Sequence, residues 1–335
     1  MTPASSDSRI LKIHHWLTHD LNLAIQDFAV ASSDASFRRY FRVKVAQQSY
    51  IVMDAPPDKE DIKPFVRIAQ LFASINVNTP AIIQQHSQHG FLLLEDFGQT
   101  CLLDVLNADN MQALYTQALN DLVPLQTNID LNSCELPYYD QTLLQRELDL
   151  FSDWFLKKHC QLSLTDAHRT ILNSCSTLLI ESALNQTQVC VHRDYHSRNL
   201  MHIDDSLLGM IDFQDAVIGA ITYDAVSLLK DCYINWSDAE IERCLKPYYQ
   251  QLISHQLITC DFQHFQRDFD LMGLQRHLKA IGIFARLNHR DHKAHYLADI
   301  PRTLNYVLAV SQKYPELQAF HHFLTTTVLP IYQTL

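Results

Sequence analysis

The sequence is poor in glycine, with six glycines in 335 residues, so any phosphate-binding loop must be built with few of them. Long apolar runs are missing as well: nowhere do about 18 apolar residues follow one another, and no membrane span is expected. The first residues, MTPASSDSRILKIHHWL, lack the basic start and the long apolar run of a signal peptide. We therefore expect a cytoplasmic protein without a membrane partner.

Basic residues are outnumbered, with 26 Lys and Arg against 37 Asp and Glu and a formal charge of −11. A general nucleic-acid binder needs a basic face for the phosphates, so no nucleic-acid partner is expected. The eight cysteines are scattered and contain no C-x-x-C pair, which is typical of reduced core residues. The composition indicates an ordinary soluble globular protein, long enough for more than one core.

Hydrophobic spacing predicts a mixture of strands and helices in the first hundred residues. Residues 37–45 alternate, with Phe37 and Phe41 on the apolar face, as in a strand, and residues 50–53 follow as a hairpin partner. A helix with its apolar stripe over 65–75 comes next. Two further strands are predicted near 81–85 and 91–95.

Beyond about residue 100, helical spacing dominates, interrupted by one β-rich stretch at 188–212. The pattern predicts an α+β fold with two lobes: a small antiparallel β lobe with helices (1–98) and a larger, mainly helical lobe (99–335). A cleft between lobes is a common place for a ligand. The predicted helices of the second lobe are 109–126, 140–158, 165–184, 237–256, 263–286 and 301–333.

The clearest motif lies in the segment VCVHRDYHSRNLMHIDDSLLGMIDFQD, residues 189–215. Asp194 ends a His-Arg-Asp triplet, Asn199 stands five positions later, and Asp212 follows two short apolar strands. A hairpin returns its second strand to where the first began, so we expect Asn199 and Asp212 to lie side by side. An amide oxygen and a carboxylate there suit Mg²⁺ on nucleotide phosphates, which leaves Asp194 to meet an acceptor hydroxyl, as in kinase-type phosphoryl transfer.

Two other interpretations of this segment are weaker. Isolated aspartates in turns are usually solvated caps, but the combination of spacing, hairpin and second aspartate is more specific than that. His192 and His196 also form an H-x-x-x-H pattern that could suggest zinc. Zinc ligands with this spacing need one helical face, whereas the segment is predicted as strand, loop and strand.

The same segment resembles the aminoglycoside phosphotransferase and choline kinase superfamily, a relative of the protein kinases. The resemblance implies a protein-kinase-like fold, ATP as phosphoryl donor, Asp194 as catalytic base, and Asn199 and Asp212 as magnesium ligands. It also assigns His192 and Asp224 to the support of the catalytic loop. The connector LEDFG at 94–98 is similar to the family's hinge, where main-chain atoms of Glu95 and Phe97 would pair with adenine.

The chain departs from the superfamily pattern in two places. The loop that covers the nucleotide is not glycine-rich but reads SSDASFRRY at 32–40, so Ser36 and Arg39 are the predicted phosphate contacts. The strand that should carry a phosphate-pairing lysine has Met53 at that position. Either Arg39 or Lys44 replaces the lysine, or ATP is held differently, or the kinase is impaired.

Four further segments narrow the resemblance: SDASFRRYFRV at 33–43, IVMDAPPDKED at 51–61, LLLEDFG at 92–98, and QRHLKAIGIFARL at 275–287 with YLADIPR at 296–302. Together they look like the anomeric kinases that phosphorylate N-acetylmuramate and N-acetylglucosamine in bacterial cell-wall recycling. The resemblance covers nearly the whole chain. It implies an amino sugar as the small-molecule substrate and a sugar 1-phosphate as the product.

A basic island supports an anionic acceptor. Between 275 and 302 six Lys and Arg face only two Asp, which suits a carboxylate such as the lactyl group of N-acetylmuramate. The predicted substrate residues are Arg276, His277, Arg286 and Arg290. The alternative for this segment is a solvated helix face.

Two rival functions stay open at this point. A kinase of another small hydroxylated compound (choline, an amino alcohol or amino acid, an aminoglycoside) would use the same centre, although choline calls for an aromatic cage. A nucleotide-binding pseudokinase that acts as an interaction module would explain the missing lysine. The presence of Asp194, Asn199 and Asp212 together argues against it.

Overall fold

The computed structural model describes residues 7–33, 37–204 and 207–334. They form two compact units, one containing the residues up to Thr100 together with 201–214, the other containing 101–200 and the residues from Asp215 onward. The segment 201–214, which falls in the second predicted lobe, is therefore grouped with the first unit. The assignment of 1–98 and 99–335 to nucleotide binding and catalysis stays a prediction. No helix within the described ranges is both long and apolar enough to span a membrane.

The first unit is built on a five-stranded antiparallel sheet. Its strands, numbered in chain order, are β1 (Ile25–Ser33), β2 (Arg39–Val45), β3 (Gln48–Asp54), β4 (Ile82–His86) and β5 (Phe91–Glu95). Neighbouring strands follow the order β1-β2-β3-β5-β4, and every adjacent pair is antiparallel. The predicted strands at 37–45, 50–53, 81–85 and 91–95 are thus confirmed within a few residues, whereas β1 was not predicted.

Strand β2 shows how its sequence places one face in the core. Phe41 and Val43 are buried while Lys44 is exposed, as expected from the two-residue period of a strand. Phe37 was wrongly counted on that face: it precedes the strand and is 60% exposed. The buried face packs against Ile13, Trp16 and Leu17, which lie on helix α1 (Ser8–His15) and the π-helical turn Trp16–Asp20 that continues it.

A second apolar layer of the first unit is formed by helix α2 (Lys63–Ser74), which has Pro64 in its first turn, where a missing N–H costs nothing. Phe65, Ile68 and Phe72 of α2 are buried, as the sequence predicted. The ring of Phe213 packs against Phe65 and Phe72 at centroid distances of 4.8 and 5.7 Å.

The predicted hairpin in the β-rich stretch is present. Its strands are β7 (Leu200–Asp204) and β8 (Leu207–Met210). Asn78 fixes β8 within the first unit: its Nδ2 donates to the carbonyl of Leu208 at 2.8 Å, and its carbonyl accepts the N–H of Met210 at 2.8 Å. The sequence predicted the hairpin but not this anchor.

The second unit is mainly helical, with one short antiparallel pair, β6 (Gln188–Val191) and β9 (Val217–Ala220). Its α-helices are α3 (Leu102–Val105), α4 (Met111–Thr127), α5 (Gln141–Leu150), α6 (Asp166–Asn185), α7 (Tyr223–Leu229), α8 (Asp238–Ser254), α9 (Phe262–Asp291), α10 (Ile300–Lys313), α11 (Gln318–Phe323) and α12 (Leu329–Tyr332), with π-helical segments Phe151–His159 and Leu324–Val328 and 3-10 turns Ala294–Asp299 and Pro315–Leu317.

Most predicted helices of this unit are confirmed, but the one expected at 301–333 is broken. Helix α10 ends at Lys313, and Tyr314 is extended with φ −107° and ψ 126°. The cause is Pro315, because a proline disfavours the helical conformation in the residue before it. The remaining stretch is divided among short helical pieces.

Helix α9 is the longest element of the unit, with 30 residues. Asp261 caps its first turn by accepting the N–H of His264 at 2.8 Å. Gly282 lets α9 approach the end of α5, since a Cβ added there would lie 2.4 Å from the main-chain carbon of Leu150. The helix carries the predicted basic island, so its packing determines which of those cations reach the site.

Candidate active site

The His-Arg-Asp triplet lies in the loop that joins β6 to β7, residues 192–199. Arg193 adopts a left-handed conformation with φ 78°, which is uncommon for a residue with a long side chain and is found preferentially at functional sites. The loop is held by the buried side chain of Asp224, in the first turn of α7. Asp224 accepts the N–H of His192 at 2.7 Å and that of Arg193 at 3.0 Å.

The Asp224 carboxyl is partly protonated at neutral pH. Burial raises the pKa of Asp224 to about 7, although hydrogen bonds from the main chain of His192 and Arg193 act in the opposite direction.

A second buried carboxylate, Asp231, holds the other half of the loop. It accepts the N–H of Ser197 at 3.0 Å, the hydroxyl of Ser197, and the N–H of Tyr233 at 3.0 Å.

Asp194 lies at the centre of this loop and is partly exposed. Its main-chain N–H donates to Nδ1 of His192 at 3.3 Å, and its carbonyl accepts Nδ2 of Asn199 at 3.0 Å. Burial alone would raise the pKa of the Asp194 carboxyl, but the positive charge of Lys279, with that of Arg276, lowers it below its ordinary value. The carboxylate is therefore ionised at neutral pH.

The two predicted magnesium ligands have the chemistry that Mg²⁺ requires. Because Nδ2 of Asn199 donates to the Asp194 carbonyl, the amide is oriented, and its oxygen is the atom suited to a hard cation. Asp212 follows β8 by two residues and has φ 64°, and its Oδ1 accepts Nε2 of Gln214 at 2.8 Å. A shared metal ion at Asn199 and Asp212 stays a prediction.

A buried ion network lies behind Asp194. Glu147, on α5, forms ion pairs with Arg193 and with Lys279, the latter at 3.3 Å, and accepts the hydroxyl of Tyr139. Burial raises the pKa of Glu147, but the cations Lys279 and Arg193 outweigh that effect and lower it. This network ties the strained residue of the loop to two helices.

A cavity of about 160 Å³ opens beside Asp194 within the second unit. Of the four predicted substrate residues, Arg276 and His277 line it. The sequence missed Lys279, although its position three residues after Arg276 places both on one face of α9. The lining residues are Asp194, His196, Ser227, Lys230, Asp231, Cys232, Tyr233, Arg276, His277, Lys279, Ala280, Ile283 and Phe284.

Arg276 and His277 are already bonded within the protein. The guanidinium of Arg276 donates to the carbonyl of Arg193 at 2.9 Å and to Oγ of Ser227 at 2.6 Å. Nε2 of His277 lies 2.8 Å from the carbonyl of Lys230, so this nitrogen carries the proton. Burial lowers the pKa of His277 to about 3, and the ring is a neutral wall of the cavity that stacks on Tyr306 at 4.7 Å.

The other two predicted substrate residues lie further along α9 and outside this lining. Arg286 is half-buried, and burial together with Arg290 lowers its pKa. Arg290 is exposed and pairs with Asp291 at 2.7 Å. Their part in substrate binding stays a prediction.

The predicted nucleotide contacts belong to the first unit. Met53 is completely buried, and its assignment to the position of the superfamily's phosphate-pairing lysine stays a prediction. The next residue, Asp54, has a fully buried side chain that pairs with Arg39 and Arg9, each at 2.5 Å, and Arg39 also pairs with Asp7. Arg39 is thus held beside a carboxylate and remains a third exposed, while Ser36 lies outside the described residues.

The predicted hinge contains an ion pair that was not predicted from the sequence. Arg42 donates to Asp96 at 2.6 Å and to the carbonyl of Gly98 at 2.6 Å. Glu95 is the last residue of β5, and its N–H donates to the carbonyl of Ala81 at 2.9 Å. Adenine binding by the main chain of Glu95 and Phe97 stays a prediction.

Comparison with known proteins assigns the class. The sequence profile of the phosphotransferase enzyme family matches residues 27–253, about two thirds of the chain, and the chain belongs to that family. The fold is similar to that of an ADP-bound aminoglycoside phosphotransferase (TM-score 0.62, 18% identity, 90% of this chain and 97% of the other) and of a choline kinase from Streptococcus pneumoniae (TM-score 0.63, 11% identity, 90% and 100%). The predicted protein-kinase-like α+β fold is confirmed.

Relatives of higher identity are described as N-acetylmuramate/N-acetylglucosamine kinases. The protein from Pseudomonas putida is 44% identical, covering 93% of this chain and 94% of its own, and the protein from Pseudomonas aeruginosa is 41% identical, covering 93% and 95%. A third, from Neisseria meningitidis, is 37% identical over 96% of both chains. The chain is therefore a small-molecule kinase that takes its phosphoryl group from a nucleotide, and the pseudokinase alternative is set aside.

Proposed function

We propose that this kinase transfers the γ-phosphoryl group of ATP to the anomeric hydroxyl of N-acetylmuramate, N-acetylglucosamine or both, giving the sugar 1-phosphate. The observation that carries the proposal is the identity of 37–44% over nearly the whole chain to three kinases named for these two sugars. The cavity beside Asp194, which cationic residues line, fits an amino sugar with an acidic substituent better than a polycationic aminoglycoside.

In this proposal Asp194 acts on the acceptor. Its ionised carboxylate orients the C1 hydroxyl and receives the proton as the oxygen bonds to phosphorus and ADP leaves. Asp224 and His192 hold the loop so that this carboxylate is positioned before the substrate arrives. Such preorganisation is where most of the rate acceleration in phosphoryl transfer originates.

The nucleotide side of the proposal uses the predicted magnesium ligands, the predicted hinge and the predicted phosphate contacts. Asn199 and Asp212 would hold Mg²⁺, whose charge compensates that of the phosphates when it is bound. The main chain of Glu95 and Phe97 would bind adenine, and Ser36 and Arg39 would contact phosphate. We place the reaction in the cytoplasm, because that compartment supplies ATP.

The proposal is tested with purified protein, ATP and Mg²⁺ against a panel of acceptors. The panel contains N-acetylmuramate, N-acetylglucosamine, choline and an aminoglycoside, and phosphorus NMR identifies the phosphorylated position. We expect a product with phosphorus coupled to the anomeric proton for at least one of the two sugars. A product from choline or the aminoglycoside alone, or a phosphate on another sugar hydroxyl, would contradict the proposal.

A further inference from the structure

Three cations line the cavity beside Asp194: Lys230, Arg276 and Lys279. A cation can recruit a substrate anion only if its own hydrogen-bond donors are not already engaged at good geometry within the protein. Charge-assisted bonds between an ammonium or guanidinium and an oxygen are normally about 2.7–2.9 Å long. The lengths of the bonds made by these three cations therefore distinguish a cation that is engaged within the protein from one that can bind a substrate anion.

Lys230 and Arg276 are engaged in the protein. Nζ of Lys230 lies 2.7 Å from Asp270, and the side chain of Lys230 is only 8% exposed. Arg276 bonds the carbonyl of Arg193 at 2.9 Å and Ser227 at 2.6 Å, with its guanidinium over the ring of Tyr223 at 4.4 Å. The ion pair of Lys230 and the two hydrogen bonds of Arg276 are short contacts that fix a loop or a helix.

Lys279 differs from both. Its two described acceptors, Oε1 of Glu147 and the hydroxyl of Tyr223, lie at 3.3 and 3.2 Å, which is long for an ammonium. Glu147 is shared with Arg193 and Tyr139, so its charge is divided among several donors. An ammonium has three donors, and the side chain of Lys279 is 12% exposed and lines the cavity.

We propose that Lys279 is the specificity-determining residue that binds the carboxylate of an acidic amino sugar in this cavity. This inference rests on the proposed function and extends it. The lactyl carboxylate of N-acetylmuramate accepts a hydrogen bond from the third N–H of the Lys279 ammonium, a contact that N-acetylglucosamine cannot make. Arg276 keeps its role in fixing the loop.

The test uses Lys279→Met and three acceptors: N-acetylmuramate, its neutral carboxamide, and N-acetylglucosamine. Loss of a charge-assisted hydrogen bond corresponds to about tenfold to a hundredfold in kcat/KM. The wild type should prefer the acid over the carboxamide by that factor, and Lys279→Met should lose this preference. Because Lys279 also keeps Asp194 ionised, the variant is expected to be slower with every acceptor, and the readout is the ratio of kcat/KM for the acid to kcat/KM for the carboxamide within each variant. Lys279→Arg, which keeps the charge, should restore part of the preference.

Two further variants serve as controls. Lys246→Met removes a lysine that pairs with Glu242 on the exposed face of α8, and both sugars should be phosphorylated as in the wild type. If Lys279→Met does not fold, Lys279→Gln removes the charge but keeps an N–H donor for Glu147, and turnover of N-acetylglucosamine reports that the fold is intact.

The failures are distinguishable. If the Lys279→Met and Lys279→Gln variants keep the wild-type preference for the acid over its carboxamide, whatever their overall loss of activity, Lys279 does not bind the carboxylate and the inference is wrong while the proposed function stands. The same conclusion follows if the wild type phosphorylates N-acetylglucosamine but does not distinguish the acid from its carboxamide. If the wild type phosphorylates neither sugar, the proposed function and the inference are both overturned.

Discussion

The buried carboxylate of Asp224 accepts the main-chain N–H of His192 at 2.7 Å, and its other oxygen accepts the next N–H of the same loop. His192 is buried and Arg193 is partly buried, so removal of the carboxylate leaves both N–H groups without their acceptor. The relationship joins the start of α7 to the loop that carries Asp194, and it fixes the first half of that loop, as Asp231 fixes the second half through Ser197.

Asp224→Ala is therefore expected to destabilise the protein and to lower its activity. Each buried N–H left without a partner costs about 1–3 kcal/mol, which urea unfolding would detect as a lower free energy of unfolding. Asp224→Asn keeps one acceptor and should cost less. The exposed Asp153, replaced by alanine, is the control and should stay within about 0.5 kcal/mol of the wild type. Equal stability of Asp224→Ala and the wild type would show that the loop does not depend on this carboxylate.

Asp194→Asn is expected to leave the fold intact and to remove most of the turnover. The amide has the shape of the carboxylate but cannot receive the proton of the acceptor hydroxyl, and general-base catalysis contributes about 10²–10⁴-fold. The measurements are kcat for sugar phosphorylation and the melting temperature of the same preparation. A variant with near-native kcat would contradict the role proposed for Asp194.

Asp212→Ala is expected to abolish magnesium-dependent nucleotide binding. If Asn199 and Asp212 share the metal ion, calorimetry with ATP and Mg²⁺ should show no binding to the variant, whereas adenosine, which needs only the hinge, should bind as it does to the wild type. Adenosine binding is the control for the fold. Unchanged affinity for the magnesium complex of ATP would place the metal elsewhere.

Local patterns account for the parts of the fold that the sequence predicted correctly, because apolar periodicity located most helices and four strands of the first unit's sheet. The motif of Asp194, Asn199 and Asp212 is local as well, since all three residues lie in one short segment, and the roles assigned to them stay predictions. Strand β1 was missed because it is an edge strand whose register shifts between Ile25 and Asp27 and again between Val30 and Ser32. Each bulge changes the face on which the following residues point, and the two-residue alternation is lost.

The support of the site could not be predicted, because it comes from residues far apart in the chain. Glu147 lies on α5 and Asp231 lies in the segment that follows α7. Both contact the loop only through the tertiary packing of these elements, and neither lies in a recognisable motif. The basic island shows that composition alone does not identify which of its cations reach the site. Composition drew attention to Arg276, Arg286 and Arg290 alike, whereas the packing of α9 turns Arg276 and Lys279 toward Asp194 and leaves Arg290 in solvent.

His277 predicts a dependence of stability on pH. Its pKa is lowered from 6.5 to about 3 by burial, so below pH 6.5 the unfolded chain takes up a proton that the folded chain does not. The contribution is complete above pH 6.5 and is lost as the pH falls, by about 2 kcal/mol at pH 5. In urea unfolding, His277→Phe should be less stable than the wild type at pH 7, and the difference should shrink toward pH 5. A difference that does not vary with pH would show that His277 is not buried in its neutral form.

Arg276 and Arg290 provide the final test of the basic island, because they lie on the same helix in opposite situations. The guanidinium of Arg276 fixes the carbonyl of Arg193 and the hydroxyl of Ser227, so Arg276→Ala should loosen the loop and reduce kcat for both sugars together. Arg290 is 54% exposed, pairs with its neighbour Asp291 and lies outside the cavity lining. Exposed ion pairs contribute about 0–1 kcal/mol, so Arg290→Ala should leave stability and kcat/KM for both sugars nearly unchanged. The measurement is kcat/KM for N-acetylmuramate and N-acetylglucosamine with each variant beside the wild type. If Arg290→Ala selectively impaired N-acetylmuramate, the carboxylate would bind near the end of α9, and the cavity beside Asp194 would hold only the neutral part of the sugar.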